Sequence, residues 1–452
     1  MKHGFVFRNA IIAALGGLLF GFDTAVISGG EKAIQLYFGL DGFWHGFTVA
    51  IALIGTVFGA LLAGKPADTF GRKKALITVA LLYAISALGS ALSHNWYLFL
   101  SYRFIGGIGV GASSVIGPMY IAEIAPARLR GRLVGMFQLN VVTGILLAFF
   151  SNYLIAQFIE ADAWRWMLGV ETLPAALFLF LLFSIPATPR WLAMRDRNED
   201  ARALLIKLAS EDPDKELNDI IESVHFHQSA KSEPLFRLPY KWPILFAILI
   251  AVFNQMSGIN AIMYYAPRIF EMTGFAKNSA LAQSVTIGFT NLVFTMLAMS
   301  VIDRFGRKKL LLIGSVGMTF FLAMVARTLL GGANASYWVV VYLVGFIAFF
   351  AFSQGAVIWV FISEIFPNRI RAKGQALGSF THWFMAALVS WSFPLIAESA
   401  AKGGAIAFMI FSLSMLVQLL VVWRLFPETK GRSLEEIEKG FIGTSEISKT
   451  KM

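Results

Sequence analysis

Residues 68–74 read DTFGRKK, and residues 303–309 read DRFGRKK. Each copy lies between two long apolar runs. A second pair follows: EIAPARLR at 123–130 and EIFPNRIR at 364–371. The first pair is 235 residues apart and the second 241, so the chain repeats a unit of about that length.

The apolar runs say what the unit is. A membrane span needs about 20 apolar residues. Twelve stretches qualify: 9–29, 45–65, 75–93, 96–120, 131–156, 165–185, 243–269, 281–302, 308–330, 336–361, 372–397 and 403–426. Only helices satisfy their own backbone polar groups in lipid. Six spans per unit is an even number, so both copies face the same side, as parallel repeats about an axis along the membrane normal do. The expected fold is an all-α membrane protein with twelve transmembrane helices in two parallel six-helix halves, 1–190 and 241–430. The polar interval 187–240 contains RDRNEDARALLIKLASEDPDKELNDIIESV, with amphipathic helical spacing. It reads as a cytoplasmic linker, 191–240, with one or two short helices. A cytoplasmic tail, 431–452, closes the chain.

Composition agrees. Of 452 residues, 57% are hydrophobic and 14% charged, against about a quarter charged in soluble domains. There are 42 Phe and no Cys, which excludes disulfides and thiolate metal sites. The formal charge of +11 sits in alternate short loops, around Arg72, Lys73, Lys74, Arg132, Lys308, Lys309 and Lys373. The other loops hold chiefly Lys32, Lys277 and Lys402. This is positive-inside patterning and not a nucleic-acid surface: the basic side is cytoplasmic and both termini lie there. The start, MKHGFVFRN, lacks a small-residue cleavage site, so span 1 reads as retained. The expected location is a plasma membrane, the bacterial inner membrane, crossed many times and surrounded by lipid.

One carboxylate breaks the apolar pattern. Residues 18–30 read LLFGFDTAVISGG, with Asp23 inside span 1. At 1.5 Å per residue it lies about 20 Å from the cytoplasmic face, or roughly 10 Å from the outer one. Arg103 in span 4 and Glu171 in span 6 fall at the same depth by the same count. A static ion pair is one reading, but a buried pair seldom stabilises more than an apolar replacement. A proton site is the other. Arg103 beside Asp23 keeps it ionised; if Arg103 moves to Glu171, Asp23 loses its partner and takes a proton.

These residues lie in stretches that, taken together, identify a family. GGLLFGFDTAVISG, DTFGRKK, YRFIGGIGVG, MYIAEIAPARLRGR, PATPRWL, NQMSGINAIMYYAP, DRFGRKK, WVFISEIFPNRIRAKG and FPETKGRSLEEIE run in order over 16–440. The chain resembles the sugar porter family of the major facilitator superfamily, which includes xylose/proton symporters and facilitative glucose transporters. The resemblance implies alternating access by the major facilitator fold. It also implies that an acid in span 1 marks proton-coupled members, where facilitators carry an amide.

Sugar hydroxyls both donate and accept, as amides do, and aromatic faces cover C–H surfaces. Mid-span candidates are Gln138, Asn254, Gln255, Asn260, Asn291 and His382, with Trp359 and Trp383 as faces and Phe20 and Tyr264 as weaker members. Gln255 and Asn260, five apart, would share a broad helix face. A single Asn or Gln in a span also suits an interhelical hydrogen bond. The resemblance places sugar contacts at Gln138, Gln255, Asn260, Asn291, Trp359 and Trp383. Three positions depart from it: Asn254 stands where relatives have Gln, His382 where they have Gln or Asn, and SQGAVIWV in span 10 lacks their prolines. A proline-free helix is expected to bend less. His382 can titrate near neutral pH or serve as a neutral hydrogen-bonding ring.

Glycines at 17 and 21, 55 and 59, and 106–111 have the spacing for close helix contact. At the basic side, Asp68, Arg72, Glu123, Arg128 and Arg130 have counterparts Asp303, Arg307, Glu364, Arg369 and Arg371. A plain positive-inside signal would not need the acids, so an ion-pair network closing the inner gate is expected. Relatives carry an acid where PATPRWL has Ala187, whereas PETKGR keeps Glu428; the gate is expected to be weakened toward inward-open.

The leading reading is a proton-coupled monosaccharide symporter for a pentose or hexose. A uniporter of the same fold, with Asp23 structural, is the alternative, and a non-transporting sugar sensor is remote because the tails are short. No HExxH, GxSxG or Walker sequence appears, so no enzyme, metal or cofactor is expected.

Overall fold

A computed structural model describes residues 4–229, 233–331, 336–367, 369–399 and 402–431, with the side chains of 225–229, 303 and 336 outside the description. The expected tail, 431–452, therefore lies outside it apart from Gly431. Among the described residues twelve helices are long and apolar enough to cross a membrane. They are span 1 (Gly4–Gly29), span 2 (Gly42–Leu62), span 3 (Arg72–Leu92), span 4 (Trp96–Ile124), span 5 (Arg130–Phe158) and span 6 (Ala163–Leu182). Span 7 (Leu238–Glu271), span 8 (Lys277–Ile302), span 9 (Arg307–Gly331), span 10 (Tyr337–Ile365), span 11 (Arg371–Glu398) and span 12 (Gly403–Leu425) follow. Large apolar side chains such as Leu92, Leu173, Phe180 and Trp423 point outward, an arrangement that suits lipid and not water. The chain is a multi-pass membrane protein.

The repeated FGRKK stretches fold alike. Gly71 and Gly306 have φ of 91° and 88° with ψ of 150° and 162°. Each ends one helix and starts the next, in a backbone region that side chains disfavour. Elsewhere local chemistry sets the ends. Asn95 caps span 4 by accepting from the backbone N–H groups of Tyr97 and Leu98. The interval after span 6 holds three helices, Pro189–Ala193, Asn198–Lys207 and Pro213–Ser229, one more than expected. The extra one is a five-residue turn with Pro189 at its first position, capped by Thr188. An Arg202–Asp214 pair, 2.5 and 2.9 Å, ties the other two together.

Three spans differ from the continuous helices the sequence suggests; one is span 6, which divides into Ala163–Gly169 and Thr172–Leu182. Span 7 is Lys241–Met256 and Ile259–Glu271, interrupted at Gly258, φ 82°. Span 10 is Ser336–Phe352 and Gln354–Ile365, interrupted at Ser353 with φ −119° and ψ −88°. The expected stiffness of the proline-free span 10 is thus corrected. Ser353 Oγ donates to the Phe349 carbonyl at 2.6 Å, a back-bond one turn earlier that bends helices without proline.

The chain divides into two compact units. The first comprises 1–30, 51–151 and 159–231; the second comprises 31–50, 152–158 and 232–452. In the first, methyl groups at Gly21 and Gly107 would overlap the backbone oxygens of Val141 and Ala52, so span 1 meets span 5, and span 4 meets span 2, backbone to backbone. In the second, stacked Phe361 and Phe426 (5.1 Å) and Phe246 anchor an apolar core.

Candidate functional site

Within the first unit, Arg103 Nη1 lies 2.6 Å from Asp23 Oδ1. Asp23 is 2% exposed and Arg103 1%. Glu171, also 2% exposed, lies at a break in span 6, between Ala163–Gly169 and Thr172–Leu182. Asp23 and Arg103 are the charged groups that act on it. Gly106 leaves room beside them: a methyl there would stand 3.7 Å from Asp23 Oδ1 and overlap Ser86 Oγ. Phe20 and Gln138, the other candidates in this unit, are both half-buried.

The second unit holds the remaining sugar candidates. Asn254 and Gln255 end the first half of span 7, and Asn260 stands just inside the second half. The interruption removes the shared helix face expected of Gln255 and Asn260. It leaves them on two half-helices, the construction in which transporters commonly place binding groups. Gln255 Nε2 donates to Asn254 Oδ1 at 3.1 Å and lies 3.3 and 3.2 Å from the two ring nitrogens of His382. An amide N–H donates only to a bare ring nitrogen, so His382 is a neutral ring in this arrangement. Gln255 Oε1 is buried and has no partner among the described residues. Trp359 and Trp383 flank His382 at ring distances of 4.9 and 4.8 Å. Trp359 is 38% exposed, whereas Trp383, Tyr264 and Asn291 are buried.

The basic loops form two local clusters, each inside its own unit. Arg72 Nη2 is 2.9 Å from both Asp68 and Glu123, and Thr188 lies beside Glu123. In the second unit Arg307 takes both oxygens of Glu364, at 3.1 and 2.7 Å, and the Thr429 hydroxyl donates to Glu364 at 2.7 Å. Glu428 accepts the backbone N–H groups of Arg307, Lys308 and Lys430. Its carboxyl is held below the usual 4.5: partial burial would raise it, but the N–H donors of Lys430, Arg307, Lys308 and Thr429 outweigh that. The expected network is narrower than the sequence implies. Arg130 and Arg371 donate to the carbonyls of Ala122 and Phe366. Arg128 and Arg369 are exposed and have no ion pair among the described residues. Short loops let these side chains serve helix-end carbonyls in place of acids. The side chain of Asp303 lies outside the described residues.

A further cluster in the second unit is unmarked in the sequence. Glu31 Oε2 lies 2.6 Å from His45 Nε2 and 3.1 Å from Arg268 Nη1. Arg268 also reaches Gln35 Oε1 at 3.0 Å and Glu398 Oε1 at 2.7 Å, and Lys32 meets Glu271 at 2.5 Å. The cluster pins the short helix Glu31–Phe38 and the start of span 2 to spans 7 and 11. Glu31 and Arg268 are 237 residues apart, which no local pattern reports. The available signal was an arginine inside the apolar run of span 7, a group that needs an anionic partner.

The chain matches the sugar (and other) transporter family over residues 9–441. It is 37% identical to the arabinose-proton symporter of Bacillus subtilis (strain 168), over 97% of this chain and 96% of that one. It is 36% identical to the D-xylose-proton symporter of Escherichia coli (strain K12), with the same coverage. The solved inward open structure of the xylose transporter XylE from E. coli superposes with a TM-score of 0.85 at 35% identity, over 96% of this chain and 99% of that one. A family match over most of the chain, near-complete coverage of both relatives and a shared fold agree: the chain belongs to the sugar transporter family.

Proposed function

We propose that this protein is a proton-coupled monosaccharide symporter, taking a pentose or hexose of the xylose–glucose kind and working by alternating access. It lies in a plasma membrane with its FGRKK loops and both termini in the cytoplasm. The observation that carries the reading is the buried Arg103–Asp23 pair with a second buried acid, Glu171, within its electrostatic reach. One cation placed between two acids is a movable charge. With Arg103 on Asp23, that aspartate is ionised; when Arg103 turns to Glu171, Asp23 sheds the cost of an unpaired buried anion by taking a proton. The names of the two proton symporters it resembles support the same chemistry.

Sugar binds through Gln138, Asn254, Gln255, Asn260 and Asn291, with Trp359 and Trp383 against its C–H surfaces. Gln255 Oε1, buried and unpartnered among the described residues, is the acceptor for a sugar hydroxyl. At the cytoplasmic side the Arg72–Glu123 and Arg307–Glu364 clusters close the inner gate. The test is counterflow competition in proteoliposomes with a panel of pentoses, hexoses and polyols, alongside sugar-driven proton uptake. One sugar that both competes and carries protons is the expected result; a protein that equilibrates sugar without moving protons is a uniporter.

A further inference from the structure

Beyond its basic first turn and the exposed Thr78, span 3 is apolar except for one column. Tyr83, Ser86 and Ser90 follow one another at steps of three and four residues, which puts them on a single face of the helix, and Ser93, three residues on, is the residue that ends it. All four are buried. The oxygens of Ser86 and Ser90 have no hydrogen-bond partner among the described residues, an uncommon condition for buried hydroxyls. Ordinary packing would fill this face with alanine, as span 3 does at Ala80, Ala87 and Ala91.

The column has a chemical end and a surface end. At the first, Ser86 lies across Gly106 from Asp23 Oδ1, and Tyr83 faces both Asp23 and Glu171 and lies beside Ser113. Glu171 Oε1 is likewise buried without a partner among the described residues. At the other end, Arg165 Nη1 bonds the carbonyls of Ala91 and Ser93 at 2.8 and 2.7 Å, and its Nη2 lies 3.3 Å from Nδ1 of His94, which is exposed. The positive charge of Arg165 is turned onto those carbonyl oxygens. Ala91 also sits 3.2 Å from where a methyl on Gly169 would be, so the Ser90 turn packs on span 6 just before Glu171.

We propose that the Ser93–Ser90–Ser86–Tyr83 column is the route by which protons reach Glu171 and Asp23 from the outer surface, inside the first unit and separate from the sugar-binding residues. The inference rests on the symport reading. Hydroxyls both donate and accept, so a row of them bridged by water passes a proton by exchanging hydrogen bonds, without moving an ion. Intramembrane polar chains that end on carboxylates are the usual form of such relays. The four side chains are positioning residues: the proton resides on the carboxyls, and the column sets how fast it arrives.

The test reconstitutes the full-length protein with an internal pH dye and measures sugar-driven proton uptake and sugar counterflow for three forms. These are the wild type, Ser86→Ala with Ser90→Ala, and Ser86→Thr with Ser90→Thr. The alanine pair is expected to slow proton uptake by about tenfold with counterflow unchanged, and the threonine pair to keep wild-type proton uptake. Intact counterflow shows that the alanine pair is folded. An alanine pair with wild-type proton uptake overturns the proposal. So does equal loss of both activities, or a threonine pair as slow as the alanine pair, since either marks packing. A wild type that moves sugar with no proton uptake at all overturns the symport reading itself.

Discussion

Glu428 accepts the backbone N–H of Arg307 at 2.9 Å and so caps the first turn of span 9. The matching place in the first half is Ala187. The register is secure because the next residue in each half lies beside the acid that holds the loop arginine: Thr188 beside Glu123, and Thr429 bonded to Glu364. The two clusters are therefore the same arrangement, complete in the second unit and lacking one carboxylate in the first. Ala187→Glu should cap the start of span 3 and add about 1 kcal/mol of stability. It should also shift cysteine labelling toward the outward-open form. No shift would remove Ala187 from the account of gate bias.

The same carboxylate predicts a pH signature. Its folded value lies below the unfolded 4.5, so the stability it supplies is fully present above 4.5 and lost as pH falls through the lowered value. Melting curves of wild type and Glu428→Gln in detergent should differ by a constant amount above 4.5 and converge below it. A difference that grows on acidification would contradict the sign.

Glu31 and Glu398 both touch Arg268, but they are not equivalent. Glu31 is buried and also holds His45, whereas the Glu398 side chain is 34% exposed. Glu31→Gln should cost on the order of 3 kcal/mol because it breaks a buried pair. Glu398→Gln should cost less than about 1 kcal/mol. Thermal unfolding of the two variants side by side checks the order.

Gln255 and His382 make a separate prediction about the sugar side. Gln255→Leu removes both the donor to His382 and the unpartnered acceptor. It should raise KM by at least about tenfold, the scale of a lost hydrogen bond to a buried group, and leave the proton-to-sugar ratio alone. Because His382 is held as a neutral acceptor, His382→Gln should leave the pH profile of uptake unchanged. A displaced profile would make the imidazole a titrating partner in transport.

Much of this was legible because it is periodic or expensive. Twelve spans follow from run length, and the two halves from the FGRKK repeat. Asp23, Arg103 and Glu171 stand out because charge in hydrocarbon needs a partner, and helical rise alone puts them at one depth. The interruptions at Gly258 and Ser353 were not legible, since a glycine or serine inside an apolar run disturbs neither hydropathy nor length. The Glu31–Arg268 cluster was invisible for another reason: its members come from segments joined only by tertiary packing. Arg128, Arg130, Arg369 and Arg371 were over-read, because motif position does not say whether a guanidinium meets an acid or a helix-end carbonyl.

Asp23→Asn in proteoliposomes tests the central claim most directly, by comparing proton-driven accumulation with counterflow. The amide keeps the shape of Asp23 and cannot exchange the proton, so accumulation should vanish while counterflow persists. Retained accumulation by Asp23→Asn would contradict the account and move the coupling proton elsewhere.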